Sequence, residues 1–488
     1  MNNDRNASWR EALRKSLKSK ERMLLPRVRM PELDADYRSR SYDEVNRGLS
    51  PEQAIREAQR CLDCPDPACM TGCPVEIDIP GFIKNIERNE IPEAAKVLKQ
   101  TSALPAVCGR VCPQEKQCES RCIRLKMHSE SVAIGHLERF AADYERESGS
   151  VSLPEREKSN GIRIAVVGSG PAGLSFAGDM ARYGYDVTVF EALHEIGGVL
   201  KYGIPEFRLP NAIVDEEIDN LRRMGVRFIT NCIVGKTLSQ DDLLREGYQG
   251  IFIAGGAGLP NFMNIPGENL AGVLSSNEYL TRVNLMGANR PETDTPVFFG
   301  KTVAVIGGGN TAMDSVRTAR RLGAEQALII YRRSEEEMPA RLEEVHHAKA
   351  EGVIFMNLYN PVQYIGDEKG RVKQMVLQKM TLGEPDASGR RRPVEIPGAL
   401  ETMAVDLVIV AIGVSPNPLV PQAFHGLNVS RWGTITVHPD TLQTDLPAVY
   451  AGGDIVRGGA TVILAMGDGR KAAQNMHESF RRTLSPDM

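Results

Sequence analysis

The stretch Ile162-Arg163-Ile164-Ala165-Val166-Val167-Gly168-Ser169-Gly170-Pro171-Ala172-Gly173 decides the fold of this chain. Its apolar run followed by glycines predicts a buried strand, a tight turn and a helix opening near Leu174. In this pattern Gly168 makes the turn, Gly170 lets the backbone approach a pyrophosphate, and Gly173 lets the helix pack on the strand. The helix N-terminus faces the phosphates with its positive end. We therefore predict a dinucleotide site at Gly168, Gly170, Pro171, Ala172 and Gly173.

The next strand supplies a carboxylate for the same nucleotide. Residues 186–190 form an apolar run that predicts a second strand, and this run ends at Glu191. A carboxylate at this strand tip suits hydrogen bonds to a ribose diol. Paired glycines follow at 197 and 198, where a ligand can approach the backbone closely, although a plain turn is the alternative. We predict cofactor contacts at Glu191, Gly198, Val199 and Leu200.

Composition restricts the class of protein. The 488 residues carry 59 Lys and Arg against 63 Asp and Glu, and this net charge of −4 predicts no attraction to nucleic acid or anionic membranes. No apolar run reaches the roughly 18 residues of a membrane span, and the N-terminus shows no signal-peptide core. We therefore expect a cytoplasmic protein with no nucleic acid or membrane partner, whose nine cysteines do not form a disulfide framework.

The cysteines are concentrated before the first fingerprint. They read Cys61-x2-Cys64-x4-Cys69-x3-Cys73-Pro74 and Cys108-x3-Cys112-Pro113-x5-Cys118-x3-Cys122. Closely spaced cysteines with a final Cys-Pro are typical of ferredoxin-like iron–sulfur sites, and eight thiolates suffice for two [4Fe–4S] clusters. Structural zinc is the alternative, but only Cys61 and Cys64 have the short spacing of a zinc knuckle. Spacing alone would count Cys108 among the ligands.

A second dinucleotide fingerprint lies further along the chain. Residues 302–306 predict a strand, and Gly307-Gly308-Gly309-Asn310-Thr311-Ala312 follows with alanine in place of the third glycine. The next strand, residues 327–331, ends in Arg332-Arg333 where an acid would accept a bare ribose diol. Two guanidinium groups suit a 2′-phosphate, which predicts NADP(H) rather than NAD(H). The alternative is a pair of solvated arginines.

A third glycine segment closes the chain. Residues 448–451 predict a strand that runs into Gly452-Gly453-Asp454, and a helix opens after Thr461. An aspartate in this position can bond a ribityl hydroxyl. The helix start can place backbone N–H groups and positive potential against a reduced flavin ring. We predict flavin contacts at Gly453, Asp454 and Thr461.

With these motifs the chain resembles the small (β) subunit of NADPH-dependent glutamate synthase. It is also similar to the large subunit of NADH-dependent ferredoxin:NADP⁺ oxidoreductase and to the N-terminal half of dihydropyrimidine dehydrogenase. The resemblance implies FAD on the Gly168 fingerprint, NADPH on the Gly307 fingerprint, and two [4Fe–4S] clusters.

The resemblance also implies an α/β fold of thioredoxin-reductase-like flavoprotein type. An N-terminal α-helical double [4Fe–4S] domain (1–150) would be followed by two interleaved Rossmann-like domains. The NADPH-binding domain (286–418) would be inserted between two parts of the FAD-binding domain (160–285 and 419–488).

The resemblance further implies a ligand set. One cluster would take Cys61, Cys64, Cys69 and a non-cysteine ligand, for which Glu138 is the candidate. The other would take Cys73, Cys112, Cys118 and Cys122. Cys108 would stay unligated, and here the resemblance and the spacing disagree.

The implied activity is electron transfer from NADPH through FAD and the clusters to another polypeptide, with no side chain obligatory as acid or base. The implied acceptor is a large glutamate synthase subunit or another electron-acceptor protein, so we expect a hetero-oligomer. An electron-bifurcating enzyme, with a second flavoprotein subunit and a ferredoxin, would use the same residues. A non-enzymatic iron–sulfur module is a third possibility, and two complete fingerprints argue against it.

Overall fold

The computed structural model describes residues 5–484, and these begin with a helical domain that precedes the first strand. Ser50 and Gln53 open one of its helices with reciprocal hydrogen bonds of 3.3 and 2.9 Å, the capping box that their spacing predicts. The helices of this domain are α1 Ser8–Ser16, α2 Ser19–Leu24, α3 Ala35–Arg38, α4 Pro51–Ala58, α5 Ala68–Thr71, α6 Ile79–Glu87, α7 Ile91–Lys99, α8 Pro105–Val111, α9 Ile123–Lys126 and α10 Ile134–Glu147.

The remainder of the chain alternates strands and helices. The strands are β1 Arg163–Val167, β2 Asp186–Phe190, β3 Arg227–Ile229, β4 Tyr248–Ile253, β5 Ala257–Pro260, β6 Val273–Ser275, β7 Thr302–Ile306, β8 Gln326–Tyr331, β9 Ile354–Asn357, β10 Tyr359–Gly366, β11 Val372–Pro385, β12 Arg391–Ala404, β13 Leu407–Val410, β14 Val414–Pro416 and β15 Val449–Ala451. The helices are α11 Pro171–Arg182, α12 Val199–Tyr202, α13 Asn211–Arg223, α14 Gln240–Arg245, α15 Ser276–Asn284, α16 Asn310–Arg321, α17 Leu342–Ala350, α18 Leu419–Ala423, α19 Asp454–Arg457 and α20 Val462–Leu484.

Two parallel five-stranded sheets carry the two fingerprints. The first has the order β15-β4-β1-β2-β3 and the second the order β6-β13-β7-β8-β9. Strands β1, β2, β7 and β8 are almost wholly buried apolar runs, as expected for parallel sheets covered by helices on both faces, whereas the edge strands β3 and β9 are partly exposed. Strand β6 lies inside the range 160–285 predicted for the first domain, yet it pairs with β13 of the second sheet.

The two nucleotide folds are interleaved. The chain leaves the first fold through β5 and returns through β14, and these two strands pair antiparallel in a ribbon of their own. Strand β15 then completes the first sheet by pairing in parallel with β4. The second fold also carries a three-stranded antiparallel sheet, β10-β11-β12, which the sequence analysis did not anticipate.

The helical domain packs on both nucleotide folds. It shares one hydrophobic core with the first, where Cys108 and Phe82 belong to the same buried cluster as Phe176 and Met466. It contacts the second through polar groups, such as Lys116 Nζ, which donates to Pro339 O at 2.8 Å. None of the helices within residues 5–484 is long and apolar enough to cross a membrane.

Candidate cofactor sites

A single cleft of about 2310 Å³ runs between the two nucleotide folds. It is more than twice the upper volume of about 1,000 Å³ usual for one small ligand. Most of the residues predicted to contact cofactors line this cleft: Gly168, Gly170, Pro171, Ala172, Glu191, Gly198, Val199, Asp454, Thr461, Gly307, Gly308, Gly309, Asn310, Thr311, Arg332 and Arg333. The cleft therefore has room for two nucleotides between the fingerprints.

The first fingerprint has the backbone that a dinucleotide turn requires. Gly168 has φ +104°, and a Cβ there would lie 2.5 Å from the carbonyl oxygen of Ala254. At Gly170, the N-cap of α11, an added Cβ would meet no protein atom within 4 Å. The protein therefore leaves open the space that a pyrophosphate needs at the positive end of α11. Gly173 lies behind the cleft, because its added Cβ would lie 2.1 Å from Gly168 O.

The Glu191 carboxylate is held at the end of β2 by this same turn. Its Oε2 accepts from the Ser169 backbone N–H at 3.0 Å and from the Ser169 hydroxyl at 2.6 Å. Its Oε1 accepts from the backbone N–H of Leu193 at 2.9 Å. A carboxylate has about four acceptor sites, so the group is fixed in the cleft wall and still has capacity for a ribose diol.

Of the remaining residues predicted for the flavin, Asp454 and Thr461 also line the cleft. Burial raises the pKa of Asp454 to about 6, and its Oδ1 accepts from the backbone N–H of Ala460 at 3.2 Å. Thr461 directly precedes α20 and faces the cleft, so the N-terminus of that helix is presented to the cofactor space. Leu200 and Gly453 do not line the cleft; Leu200 is buried, and Gly453 N–H donates to Asp468 at 3.0 Å.

The second fingerprint repeats the geometry of the first. Gly307 has φ +141°, and α16 begins after its N-cap, Gly309. The ring of Tyr331 packs on Gly308, where an added Cβ would lie 2.8 Å from it. The side-chain oxygen of Asn310 accepts from Arg341 N–H at 2.9 Å, and Thr311 is exposed to the cleft. This turn presents a second helix N-terminus to the cleft.

The two arginines predicted to bind a 2′-phosphate differ in their surroundings. Arg332 is exposed and lines the cleft. Arg333 is 7% exposed, and its Nη2 contacts Asp386 Oδ2 at 2.6 Å. A third guanidinium that sequence reasoning missed, Arg390, also lines the cleft. The sequence shows the run Arg390-Arg391-Arg392, but it does not reveal that Arg390 reaches the cleft.

The cysteines fall into two neighbouring groups. Burial, followed by the charges of Cys61 and Cys122, raises the pKa of Cys64 to about 11. The pKa of Cys69 is raised by burial and then by the charges of Cys61, Cys122 and Cys64. The charge of Cys122 thus acts on Cys64 and Cys69, whereas the resemblance assigns Cys122 to the other cluster.

Glu138 lies with the second group. Its charge acts on Cys73, Cys112 and Cys118, and it is not among the main influences on Cys61, Cys64 or Cys69. Burial raises the pKa of Glu138 to about 8, and its Oε1 is buried without a hydrogen-bond partner. An unpartnered buried carboxylate oxygen is costly unless something binds it. The charges that act on these thiols therefore favour an exchange of Glu138 and Cys122 between the two ligand sets that the resemblance implies.

Cys108 is occupied by protein contacts. Its Sγ lies 3.5 Å from Met466 Sδ and 3.9 Å from Ser102 Oγ, and the residue is fully buried. Spacing alone had counted this thiol as a ligand. This thiol also interacts with the Cys112 side chain, and its contact with Met466 connects it to α20.

The cysteine geometry does not fit a single ion. Among residues 5–484, no three His, Cys, Asp or Glu side chains converge closely enough to hold one metal ion. Structural zinc needs four such ligands around one point. In an iron–sulfur cube each ligand binds a different iron, so its ligands lie further apart than those of a single ion.

The second cysteine group adjoins the nucleotide cleft. Val111 and Pro113, the residues on either side of Cys112, both line it. The cleft wall is therefore also the wall of the second cysteine group.

Comparison with known proteins agrees with this arrangement. Residues 38–150 match the family described as dihydropyrimidine dehydrogenase domain II, 4Fe-4S cluster, and residues 162–469 match the pyridine nucleotide-disulphide oxidoreductase family. The fold and site thus define a pyridine nucleotide oxidoreductase with an added iron–sulfur domain.

Relatives that match over nearly their whole length identify the family to which the chain belongs. The chain is 36% identical to the glutamate synthase [NADPH] small chain of Azospirillum brasilense, over 92% of this chain and 94% of that one. It is also 36% identical to the Escherichia coli small chain, over 93% and 97% of the two chains. The chain belongs to the glutamate synthase small-chain family of flavin- and iron–sulfur-containing oxidoreductases.

Other relatives and a solved structure complete the comparison. The NADP(+)-dependent formate dehydrogenase subunit beta of Moorella thermoacetica is 40% identical over 86% of this chain, which spans only 60% of that subunit. FprA from Mycobacterium tuberculosis, solved in complex with NADPH, shares the fold at a TM-score of 0.56 and 19% identity, over 67% of this chain and 86% of FprA. The predicted fold class and the classes of cofactor, flavin, pyridine nucleotide and [4Fe–4S], are confirmed. Several relatives are subunits of larger enzymes.

Proposed function

We propose that this chain oxidises NADPH and delivers the electrons through two iron–sulfur clusters to a partner subunit. The observation that carries the proposal is the shared wall at Cys112: its two neighbours line the cleft that both fingerprints face. A flavin held by the Gly168 turn and Asp454 would supply hydride acceptance and single-electron release, and clusters held by the cysteines would supply one-electron relay. The protein holds these groups in one continuous arrangement and orients them.

The chain's own residues suit this task by position and electrostatics. The N-termini of α11 and α16 both open into the cleft and offer N–H groups to two pyrophosphates. Glu191 suits a ribose diol, and Asp454 and the start of α20 suit the flavin. No side chain needs to move a proton, which is why we assign no general acid or base.

For the clusters we propose two ligand sets that follow the proximity of the side chains. The first comprises Cys61, Cys64, Cys69 and Cys122; the second comprises Cys73, Cys112, Cys118 and Glu138. The unpartnered Oε1 of Glu138 supports its role as the fourth ligand of the second set. Raised thiol pKa values also fit metal sites, because burial disfavours a free thiolate and a bound cluster compensates its charge.

We expect the first ligand set to be the one that passes electrons to the partner subunit. Helix α9 directly follows Cys122; its residues Ile123 and Leu125 and the following Met127 are exposed. Exposed apolar side chains grouped beside a redox centre favour contact with another polypeptide. We propose a large glutamate synthase subunit as the first partner to test, because the small-chain relatives match over nearly their whole length.

The described cysteines are all unpaired, which supports a cytoplasmic location.

Anaerobic purification tests the proposal. We expect bound flavin, two [4Fe–4S] clusters per chain and NADPH-driven reduction of an artificial dye without any partner. Replacing Cys112 by Ser should remove one cluster and leave flavin content unchanged. Protein that remains free of flavin and iron after reconstitution, or that does not oxidise NADPH, would contradict the proposal.

A further inference from the structure

The hairpin β11–β12 reaches back to the NADPH fingerprint. Its turn, residues 386–390, lies beside the end of β8, more than 50 positions earlier in the chain. The run Arg390-Arg391-Arg392 begins in this turn. The hairpin therefore brings additional cationic side chains to the place where the sequence predicts a 2′-phosphate.

Arg333 fixes the hairpin in this position. Its Nη2 donates to Asp386 Oδ2 at 2.6 Å, and its Nε donates to the backbone oxygen of Arg391 at 2.9 Å. A second ion pair joins Arg391 Nε to Glu337 Oε1 at 3.2 Å. The buried guanidinium of Arg333 already donates its hydrogen bonds to the hairpin. Arg333 is therefore better suited to hold the hairpin in place than to contact an anion directly.

Two other guanidinium groups remain available. Arg332 is exposed in the cleft and has no hydrogen bond or ion pair among the described residues. Arg390 is half-buried in the cleft wall, and its Nε donates to Ser388 Oγ at 3.0 Å, which orients the side chain. Its two terminal nitrogens have no partner within residues 5–484. The cleft thus has two guanidinium groups, those of Arg332 and Arg390, that form no ion pair with a carboxylate of the described residues.

We propose that Arg390 and Arg332 together bind the 2′-phosphate of NADPH, and that Arg333 positions Arg390 by holding Asp386. The inference rests on the proposed function and adds a specificity-determining residue to it. A guanidinium binds phosphate oxygens in a planar, bidentate fashion, so two of them can enclose one phosphate. NADH has no 2′-phosphate, so Arg390 contributes only to the use of NADPH.

Steady-state dye reduction by the holoenzyme tests this role, with Arg392 as the matched control. Arg392 belongs to the same arginine run but is exposed outside the cleft. We expect Arg390→Ala to raise the KM for NADPH about 10-fold, the loss typical of a hydrogen bond to a charged group. The kcat and the KM for NADH should stay unchanged, and Arg392→Ala should change neither KM.

A double-variant cycle tests the positioning role of the Arg333–Asp386 pair. Asp386→Asn should raise the KM for NADPH in the wild-type background, because the hairpin is released. It should have no further effect when Arg390 is already Ala, since the two changes then act through one contact. Additive effects would contradict the positioning role.

The outcomes separate this inference from the proposed function. If Arg332→Ala raises the KM for NADPH but Arg390→Ala does not, the inference is wrong and the proposed function stands. If the wild-type holoenzyme oxidises neither nucleotide, the proposed function fails and the inference fails with it.

Discussion

Arg208 of the first nucleotide fold and Asp314 of the second form a buried ion pair, in which Arg208 Nη1 lies 2.7 Å from both carboxylate oxygens. Arg208 Nε also lies 3.1 Å from Glu344, so one guanidinium compensates two carboxylates. Both members of the pair line the cofactor cleft. The pair therefore links the two folds at the place where their cofactors would meet.

Removing Arg208 should destabilise the protein strongly. Arg208→Ala leaves the buried Asp314 carboxylate without its cation, whereas Glu344 keeps its ion pair with Arg317. Loss of one partner of a buried pair costs about 3–5 kcal/mol. Urea unfolding should show this loss in the second nucleotide fold. The double variant Arg208→Met/Asp314→Leu should recover much of it, because it removes the unpaired charge. A double variant less stable than Arg208→Ala would refute this account.

Gly170 offers a test of flavin binding that leaves the fold largely intact. An added Cβ would meet no protein atom within 4 Å, so Gly170→Ala should cost the fold only about 1 kcal/mol, through a weaker helix cap. The methyl group would occupy the space reserved for the pyrophosphate. We expect purified Gly170→Ala to retain its circular dichroism and to lose most of its bound flavin. Full flavin occupancy would show that the pyrophosphate does not lie at this turn.

The ligand sets predict which cluster each substitution removes. Glu138→Ala should perturb the spectrum and potential of one cluster only, and Cys73→Ser should perturb the same cluster, because both residues belong to the second set. Cys122→Ser should perturb the other. Cys108→Ser is the control and should leave the iron content unchanged. Electron paramagnetic resonance of the reduced proteins measures the effect; two clusters unaltered by Glu138→Ala would exclude this carboxylate as a ligand.

Glu351 should stabilise the protein in a pH-dependent way. Burial alone would raise its pKa, but ion pairs of 2.8 Å with Arg317 and with Arg321 outweigh burial and lower the pKa from 4.5 to about 2. A lowered pKa in the folded state means that the stabilisation is complete above pH 4.5 and is lost as the pH falls toward 2. It amounts to about 3 kcal/mol.

Thermal unfolding across the acid range checks this prediction. The wild type should melt well above Glu351→Gln at pH 7, and the difference should shrink as the pH falls below 4.5. A difference that stays constant from pH 7 to the acid limit of folding would show that charge at Glu351 is not its origin.

The glycine fingerprints could be predicted because each depends on residues that are adjacent in sequence. Gly168 and Gly307 have positive φ for local reasons, and the strands beside them are continuous apolar runs. The proposed ligand sets could not be derived in this way. Cys122 and Glu138 are separated from their proposed partners by turns whose direction the spacing does not reveal, and the packing of α8 against α10 brings the charge of Glu138 to act on Cys112.

The role of Arg333 shows the same limit. Two consecutive arginines at a strand end predict an anion site, but the partner of the second lies in a hairpin turn 53 positions away. No periodicity in the sequence indicates that this hairpin folds back over β8. The local sequence pattern thus indicated an anion site. Long-range packing determines which of the arginine side chains remain available to bind the anion.

The ribbon of β5 and β14 has a consequence for how such chains diversify. Because the polypeptide enters and leaves the second fold through one pair of adjacent strands, that fold is an insertion with a single covalent point of attachment. An insertion of this kind can be exchanged, with its nucleotide preference, for another of the same design while the flavin fold and iron–sulfur domain are retained. Coenzyme choice is thus encoded in one continuous insertion, whereas the residues of the flavin fold and the iron–sulfur domain lie outside it.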